Sequence, residues 1–318
     1  MSFKIIGTGS ALPEFTLTNA MLSEMVDTSD EWITTRTGIG ARQICTHETV
    51  TGLSAAAARR ALENAGLAPE ELDMIICATV RGDTLSPSLA CMVQKEIGAG
   101  CPAFDINAAC TGFIYALDLA EAYYKAGKLR HILIVSAEAM SLMTDWNDRA
   151  TCVLFGDGAG AAVLAPGDGL KSIRLTARGA DACLNIPAPT GESPFYKGLR
   201  EPYPYTRMNG QEVYKFAVNA MHHDICDVLE AAAVPAQAVD WVMVHQANKR
   251  IIDAAKSKLP ISPEKFLCTI EKYGNISSAT IPIMLDEHNR SGQLKTGDTL
   301  VFSAFGGGLT TGAAVFNW

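Results

Sequence analysis

Three residues of this chain have the chemistry to handle a thioester between them. Cys110 stands in Asp105-Ile-Asn-Ala-Ala-Cys-Thr-Gly-Phe113, His245 in Val244-His-Gln-Ala-Asn248, and Asn275 in Tyr273-Gly-Asn-Ile-Ser277. A thiol attacks a carbonyl carbon, and an imidazole and a carboxamide can stabilise the negative charge that then develops on oxygen. Singly, each has an ordinary reading. A cysteine beside two alanines is commonly a packed small hydrophobe. A histidine after a strand is commonly a hydrogen-bonded structural residue. An asparagine after glycine is commonly a turn residue. Position in the fold separates the two readings.

Phe104-Asp-Ile-Asn107 reads as a strand end, and a helix pattern begins at Phe113. Cys110 is therefore placed at a strand-to-helix junction, where unpaired N–H groups and the helix dipole favour a thiolate. Ala108, Ala109 and Gly112 leave room for a sharp turn and close substrate approach. His245 follows the apolar run 241–244 and precedes a helix starting near Lys249. That is the C-terminal end of a strand, where ligands collect in open α/β sheets.

The elements that carry these residues repeat. Residues 61–80 align without a gap on 228–247, each as helix, loop, Asp and buried strand. At the same offset, 128–138 aligns on 295–305, both ending in Ser-Ala or near it, and Cys110 falls on Ser277. Residues 156–164 and 306–316 form a third pair. Three blocks in one order indicate two similar halves, 1–168 and 169–318, with a turn-rich join at 166–172. Each half alternates strand and helix, which predicts an α/β class with parallel-rich sheets and covering helices. On this alignment Asn275 lies near the turn equivalent to that of Cys110, and His245 falls on Ala78. The stretch 179–211, with Pro187, Pro189, Pro194, Pro202 and Pro204, reads as a long loop over the core.

Composition narrows the class. Of 318 residues, 48% are hydrophobic and 19% charged, enough for a substantial core and against wholesale disorder. A net charge of -8 argues against a nucleic-acid binder driven by overall charge. The nine cysteines are scattered, odd in number and without a C-x-x-C pair. They fit buried thiols in a reducing compartment, with no disulfide framework or zinc site. The N-terminus has no signal pattern and no apolar run reaches a membrane span, so a cytoplasmic location is expected. Phe155-Gly-Asp-Gly-Ala-Gly160 lacks the lysine of a phosphate loop and reads as a sharp structural turn. By residue type alone, Phe305-Gly-Gly-Gly308 reads as a strand-connecting turn.

From end to end, the chain resembles the β-ketoacyl-acyl carrier protein synthase III family of thiolase-fold condensing enzymes. The resemblance is carried by Asp27-Thr-Ser-Asp-Glu-Trp-Ile-Thr-Thr-Arg-Thr-Gly-Ile39, Ala108-Ala-Cys-Thr-Gly-Phe113, Phe155-Gly-Asp-Gly-Ala-Gly160, His245-Gln-Ala-Asn248, Tyr273-Gly-Asn275 and Phe305-Gly-Gly-Gly308. It implies a five-layered αβαβα fold from two duplicated halves, usually as a homodimer. It also implies a role for each residue. Cys110 takes an acyl group from acyl-CoA, with its own N–H and that of Gly307 as oxyanion hole. His245 and Asn275 stabilise the enolate formed as malonyl-acyl carrier protein loses CO₂. Phe305 disfavours the departing carboxylate. No metal or redox cofactor is implied, because the CoA and phosphopantetheine thioesters are substrates.

Further positions follow from the same resemblance. Trp32 and Arg149 sandwich the CoA adenine, and Thr28, Arg36, Gly210, Asn248 and Arg250 contact CoA or pantetheine. Arg250, Lys256 and Lys258, with Lys215 and Lys249, offer a basic patch for an acidic carrier protein; a solvated helix face is the plainer reading of each lysine. Two departures stand out. Thr111 follows the nucleophile where the family commonly has Ala. Ser86 stands where many members have a larger residue that reaches across the dimer, so a changed, roomier acyl pocket is expected. The leading expectation is an enzyme that initiates fatty acid synthesis. The alternatives are a specialised polyketide- or quinolone-type condensing enzyme and a simple acyltransferase of the same superfamily.

Overall fold

The computed structural model describes residues 2–127, 129–188, 194–195, 198 and 203–318. Two five-stranded sheets carry the fold, and they are wired alike. The first contains β1 (Ser2–Ala11), β2 (Met74–Ala78), β3 (Ala103–Ile106), β4 (Ile132–Ala139) and β5 (Asp157–Gly167), in the order β1-β5-β4-β2-β3. The second contains β6 (Leu170–Ala180), β7 (Trp241–Val244), β8 (Phe266–Leu267), β9 (Thr299–Gly306) and β10 (Gly308–Asn317), in the order β6-β10-β9-β7-β8. In each sheet the second strand pairs in parallel with the third and fourth, while the fifth pairs antiparallel with the first and fourth. The sheets are thus mixed rather than parallel throughout.

Helices fill three layers, one between the sheets and one outside each. In chain order, those of eight residues or more are α1 (Asp30–Thr37), α2 (Val50–Ala65), α3 (Leu89–Ile97), α4 (Gly112–Lys125), α5 (Gly210–Ala231), α6 (Lys249–Lys256) and α7 (Thr280–Arg290). Side chains alternate across a strand, so neighbours enter different layers. Ile75 and Leu133 face α2 and α3 on the outer side. Ile76 and Ile134 face α4 and α7 in the central layer, which they share with Met243 and Phe302 of the second sheet. Val242 and Val301 face α5 and α6 on the far side. Strands covered on both faces read as continuous apolar runs, which is why they were legible. The ends of α2 are also written locally: the Thr49 side chain accepts from Gly52 N, and Gly66 closes the helix at φ 67.

The layer assignments correct the predicted repeat by one residue in two places. Met74 and Trp241 correspond, as predicted, because both face the central layer. Their parallel partners are Ile132 and Leu300, so Ile132 falls on Leu300 rather than Thr299. A slip of one would send Phe302 into the outer layer. Ser136 consequently matches Ala304, not Ser303, and their partners Gly160 and Gly312 match within the third pair of blocks. The second correction is at the nucleophile. Short 3-10 turns, Ala109–Thr111 and Ser277–Ala279, lead into α4 and α7. Asn107 Oδ1 accepts from Ala109 N at 3.1 Å, and Asn275 Oδ1 accepts from Ser277 N at 2.9 Å. Ala109 and Ser277 share a left-handed φ of 47. Cys110 therefore matches Ser278, and the counterpart of Asn275 is Asn107.

Two local expectations also change. Phe155-Gly-Asp-Gly-Ala-Gly160 is not a turn: Phe155 forms a parallel bridge to Asn275, and β5 begins at Asp157. Asp157 is buried and accepts from Ser141 N, Ser141 Oγ and Cys45 N, pinning that strand end. In the proline-rich stretch, β6 runs to Ala180, and Leu184–Asn185 pairs antiparallel with Arg207–Met208. Pro189 and Pro202 lie outside the described residues, as does Lys128 of the repeat. Among the described residues no helix is long and apolar enough to cross a membrane, and the nine cysteines are free thiols.

Candidate active site

Cys110, His245 and Asn275 line one cavity of about 500 Å³, together with Phe305, Gly307, Gly210 and Asn248. Both halves contribute. Cys110 comes from the turn before α4, His245 from the end of β7, Asn275 from the turn before α7, and Phe305 to Gly308 from the β9–β10 hairpin. That hairpin is the predicted strand-connecting turn, and it is also a wall of the site.

Backbone crowding sets the position of Cys110. A Cβ on Gly306 would lie 2.7 Å from Cys110 N, and one on Gly112 would lie 2.9 Å from Ala78 Cβ. Both positions exclude a side chain, so the hairpin and β2 close on the nucleophile. The electrostatics differ from the expectation of a thiolate-favouring junction. Cys110 keeps some accessible surface, as a cavity-lining residue must, but protein crowds it on its other sides. That desolvation pushes its thiol up to about 12, a nearby Ser277 hydroxyl pulls the other way, and the charge of Glu138 adds to the rise. Burial outweighs the short helix turn, and the resting nucleophile is a thiol.

Glu138 lies beneath this turn, fully buried at the end of β4. It accepts from Val80 N, from Ser278 Oγ at 3.0 Å and from Thr79 Oγ1 at 3.4 Å. Burial raises it to about 7 against the pull of those donors. Ser277 Oγ is buried near both Cys110 and Glu138, without a well-formed hydrogen bond to either.

His245 is 1% exposed, and burial lowers it to about 3, so the ring is neutral at physiological pH. Its backbone N–H donates to Ser303 O at 2.8 Å, ring Nδ1 meets Thr280 Oγ1 at 2.8 Å, and the ring packs edge-on to Phe305 at 5.4 Å. Asn275 is fixed from both sides. Its N–H donates to Leu154 O, its carbonyl accepts from Gly156 N, and its Oδ1 is occupied by Ser277 N. With Oδ1 taken, the amide group that remains for the cavity is Nδ2, a donor. Gly274, at φ 64, permits this approach: a Cβ there would lie 2.8 Å from Leu154 O.

The residues expected at CoA gather at the cavity rim and outside it. Trp32 lies on α1, whose cap is Ser29 Oγ accepting from Trp32 N. Arg36 and Arg149 each stand 4.9 Å from the Trp32 ring centre, and Arg149 also donates to Asp27 O. A flat base between Trp32 and Arg149 needs about 7 Å between them, two van der Waals contacts deep. The sandwich is therefore closed on itself here, and a base would have to displace Arg149. Asn248 caps α6 through Oδ1 and donates from Nδ2 to Arg36 O, tying α6 to α1. Thr28 Oγ1 is buried without a partner.

The basic residues are not one patch. Arg250 and Lys258 are exposed on and just after α6, and Lys258 reaches Asn219 at 3.4 Å. Lys256 is drawn over the Phe266 ring at 5.5 Å and toward Asp253 at 3.9 Å, with 16% of its side chain exposed. Lys215 lines a separate surface cleft with Arg174 and Asp224. Ser86 lies on an exposed loop and does not line this chain's cavity. The sequence reading assigned no site role to four residues: Glu138, Ser277, Thr280 and Gly306. Glu138 carried a signal, a lone charge closing an apolar strand; the others are small residues whose roles arise only from their tertiary neighbours. Leu184, Asn185 and Ile186, expected in a loop, form part of the cavity wall.

Known proteins are similar to this chain over its whole length. The family model described as 3-Oxoacyl-[acyl-carrier-protein (ACP)] synthase III matches residues 104–181, and its C-terminal model matches 229–318. Beta-ketoacyl-[acyl-carrier-protein] synthase III of Aquifex aeolicus is 47% identical, covering 100% of both chains. The protein of that name from Clostridium acetobutylicum is 46% identical over 100% of this chain and 99% of its own. The crystal structure of the Aquifex aeolicus synthase superposes with a TM-score of 0.93 at 46% identity, covering 99% of this chain and 100% of that one. The chain belongs to the 3-oxoacyl-[acyl-carrier-protein] synthase III family.

Proposed function

We propose that the chain joins an acyl-CoA primer to malonyl-acyl carrier protein by decarboxylative Claisen condensation, the step that initiates fatty acid synthesis. The observation that carries this reading is the convergence of one thiol and two neutral polar groups, His245 and Asn275, on a single cavity. A simple acyl transfer requires no such pair. In the first half-reaction the Cys110 sulfur bonds to the acyl carbon, the bond to CoA sulfur breaks, and the thiol proton leaves with CoA. The oxygen of the tetrahedral intermediate is held by the N–H groups of Cys110 and Gly307.

In the second half-reaction the carboxylate–carbon bond of the malonyl group breaks and CO₂ leaves. Its electron pair passes to the thioester oxygen, where Asn275 Nδ2 and His245 donate hydrogen bonds. Phe305 lines the cavity beside His245 and keeps the departing carboxylate poorly solvated. The carbanion then bonds to the acyl carbon, the bond to Cys110 sulfur breaks, and the released thiolate takes up a proton from solvent to return to the resting thiol. No step needs a metal or redox group. We further read residues 1–168 and 169–318 as the two repeats, the working form as a homodimer, and its place as the cytoplasm. Trp32, Arg36, Arg149, Thr28, Gly210, Asn248 and Arg250 are assigned to CoA, and the exposed Arg250 and Lys258 to the carrier.

A second reading is a specialised condensing enzyme of the same chemistry. It is supported by the priming beta-ketosynthase from the R1128 polyketide pathway, 33% identical with a TM-score of 0.91. Intact-protein mass spectrometry separates the outcomes. A Cys110-dependent adduct from a short acyl-CoA that discharges into a β-ketoacyl-carrier product is the expected result. An adduct only from unusual donors favours the second reading, and transfer without carbon–carbon bond formation overturns both.

A further inference from the structure

A neutral histidine has one ring proton, and the nitrogen that carries it decides whether the ring gives or accepts a hydrogen bond. Nothing in the sequence shows which nitrogen that is for His245. Its immediate surroundings do. The only group bonded to Nδ1 is Thr280 Oγ1, at 2.8 Å, and Nε2 has no protein partner among the described residues.

Thr280 also has a single proton and two places to put it, His245 Nδ1 at 2.8 Å or Ser277 O at 3.1 Å. Ser277 O is already supplied, because Thr280's own backbone N–H donates to it. Gln246 N–H approaches Oγ1 at 3.4 Å and takes one of its lone pairs. If the Thr280 proton goes to Nδ1, every group here has a partner and the shorter contact is the hydrogen bond. If it goes instead to Ser277 O, that carbonyl receives two donors while the cavity receives a bare nitrogen lone pair.

We infer that Thr280 is a positioning residue that sets the tautomer of His245: its hydroxyl donates to Nδ1, so the imidazole carries its proton on Nε2. The ring then presents an N–H to the cavity beside the Asn275 amide, two donors aimed at one oxygen. Thr280 opens α7, and the Ser277–Ala279 turn that holds Asn275 runs directly into it, so one turn places the amide and orients the imidazole. Burial of His245 makes this control necessary, because a ring held neutral cannot donate from both nitrogens. The consequence for catalysis rests on the enolate role given to His245 above.

The test combines a spectrum with two half-reactions. ¹⁵N–¹H correlation spectra of histidine-labelled protein, with His245 assigned through His245→Gln, read the tautomer directly. The wild type should show the proton on Nε2. Thr280→Val, close in shape but without the donor, should shift His245 toward the Nδ1–H form. It should also slow malonyl-carrier decarboxylation by roughly 10- to 100-fold while acylation of Cys110 is retained. Thr280→Ser should restore both readouts. A proton on Nδ1 in the wild type, or an unchanged tautomer in Thr280→Val, overturns the inference. A changed tautomer with unchanged decarboxylation leaves the tautomer assignment standing and removes His245 from the enolate role. Should Thr280→Val not fold, the wild-type spectrum still decides.

Discussion

Gly306 lies against Cys110 so closely that a Cβ on it would stand 2.7 Å from the Cys110 nitrogen and 3.2 Å from its Cβ. The hairpin between β9 and β10 thus fixes the nucleophile from the opposite half of the chain. Gly307, by contrast, has its nearest neighbours at 3.7 Å. Gly306→Ala should displace the Cys110 backbone and slow acylation by roughly 100-fold, the scale expected of a displacement near 1 Å. Gly307→Ala should fold normally. Adduct formation followed by mass spectrometry checks both; equal acylation rates in the two variants would contradict the steric account.

Asn275→Asp separates anchoring from donation. The carboxylate keeps an acceptor for Ser277 N–H, so the turn survives, but the Nδ2 donor is gone. Decarboxylation of malonyl-carrier should fall by roughly 100- to 1000-fold, as for loss of one oxyanion donor. Acylation of Cys110 should persist, and unequal loss of the two half-reactions is the result to look for.

Burial lifts Glu138 from its usual 4.5 to about 7. Between those values the folded chain holds a proton that the unfolded chain has released. Stability therefore declines as pH rises through that window, and the whole cost is present above it. Glu138→Gln should remove the decline. Relative to wild type it should be better off at about pH 8 than at about pH 5, by on the order of 3 kcal/mol. His245, lowered from 6.5 to about 3, acts in the opposite sense below 6.5, but it is common to both proteins and cancels. Urea midpoints at the two pH values test this, and an identical offset at both would refute it.

Trp32 presents the aromatic face proposed to stack on the adenine, with Arg36 and Arg149 each 4.9 Å from its ring centre. Trp32→Ala should raise KM for acyl-CoA by roughly 5- to 100-fold, the range for losing one stacked base. The maximal rate should change little. Initial rates across acyl-CoA concentrations provide the check, and a fall in kcat alone would count against stacking.

Charge reversal at Arg250 should weaken binding of the carrier protein while leaving acylation from a saturating acyl-CoA intact. Lys256→Glu should act mainly on stability, because that side chain sits on Phe266 beside Asp253. Carrier titrations alongside thermal melts distinguish the two. Equal loss of both half-reactions in Arg250→Glu would remove it from the docking surface.

The repeat was legible because it is written in burial. Strands covered on both faces show as apolar runs such as Met74 to Ala78, and a duplicated frame shows them twice in one order. The same runs could not fix the register. Ile132 matches Leu300 only because the sheet faces assign them to one layer, and short apolar runs look alike under a shift of one. Residue type and place along the chain were enough to single out Cys110, His245 and Asn275. Their protonation was not decided there. The junction that appeared to favour a thiolate is crowded enough to raise the thiol to about 12, an effect of atoms distant in sequence. Gly306 and Thr280 were silent for the same reason: each acts through a neighbour distant in the chain, Cys110 for Gly306 and His245 for Thr280. Composition and pattern determined the duplicated alternation of strand and helix, and only the packing of the two halves decided what each polar group could donate.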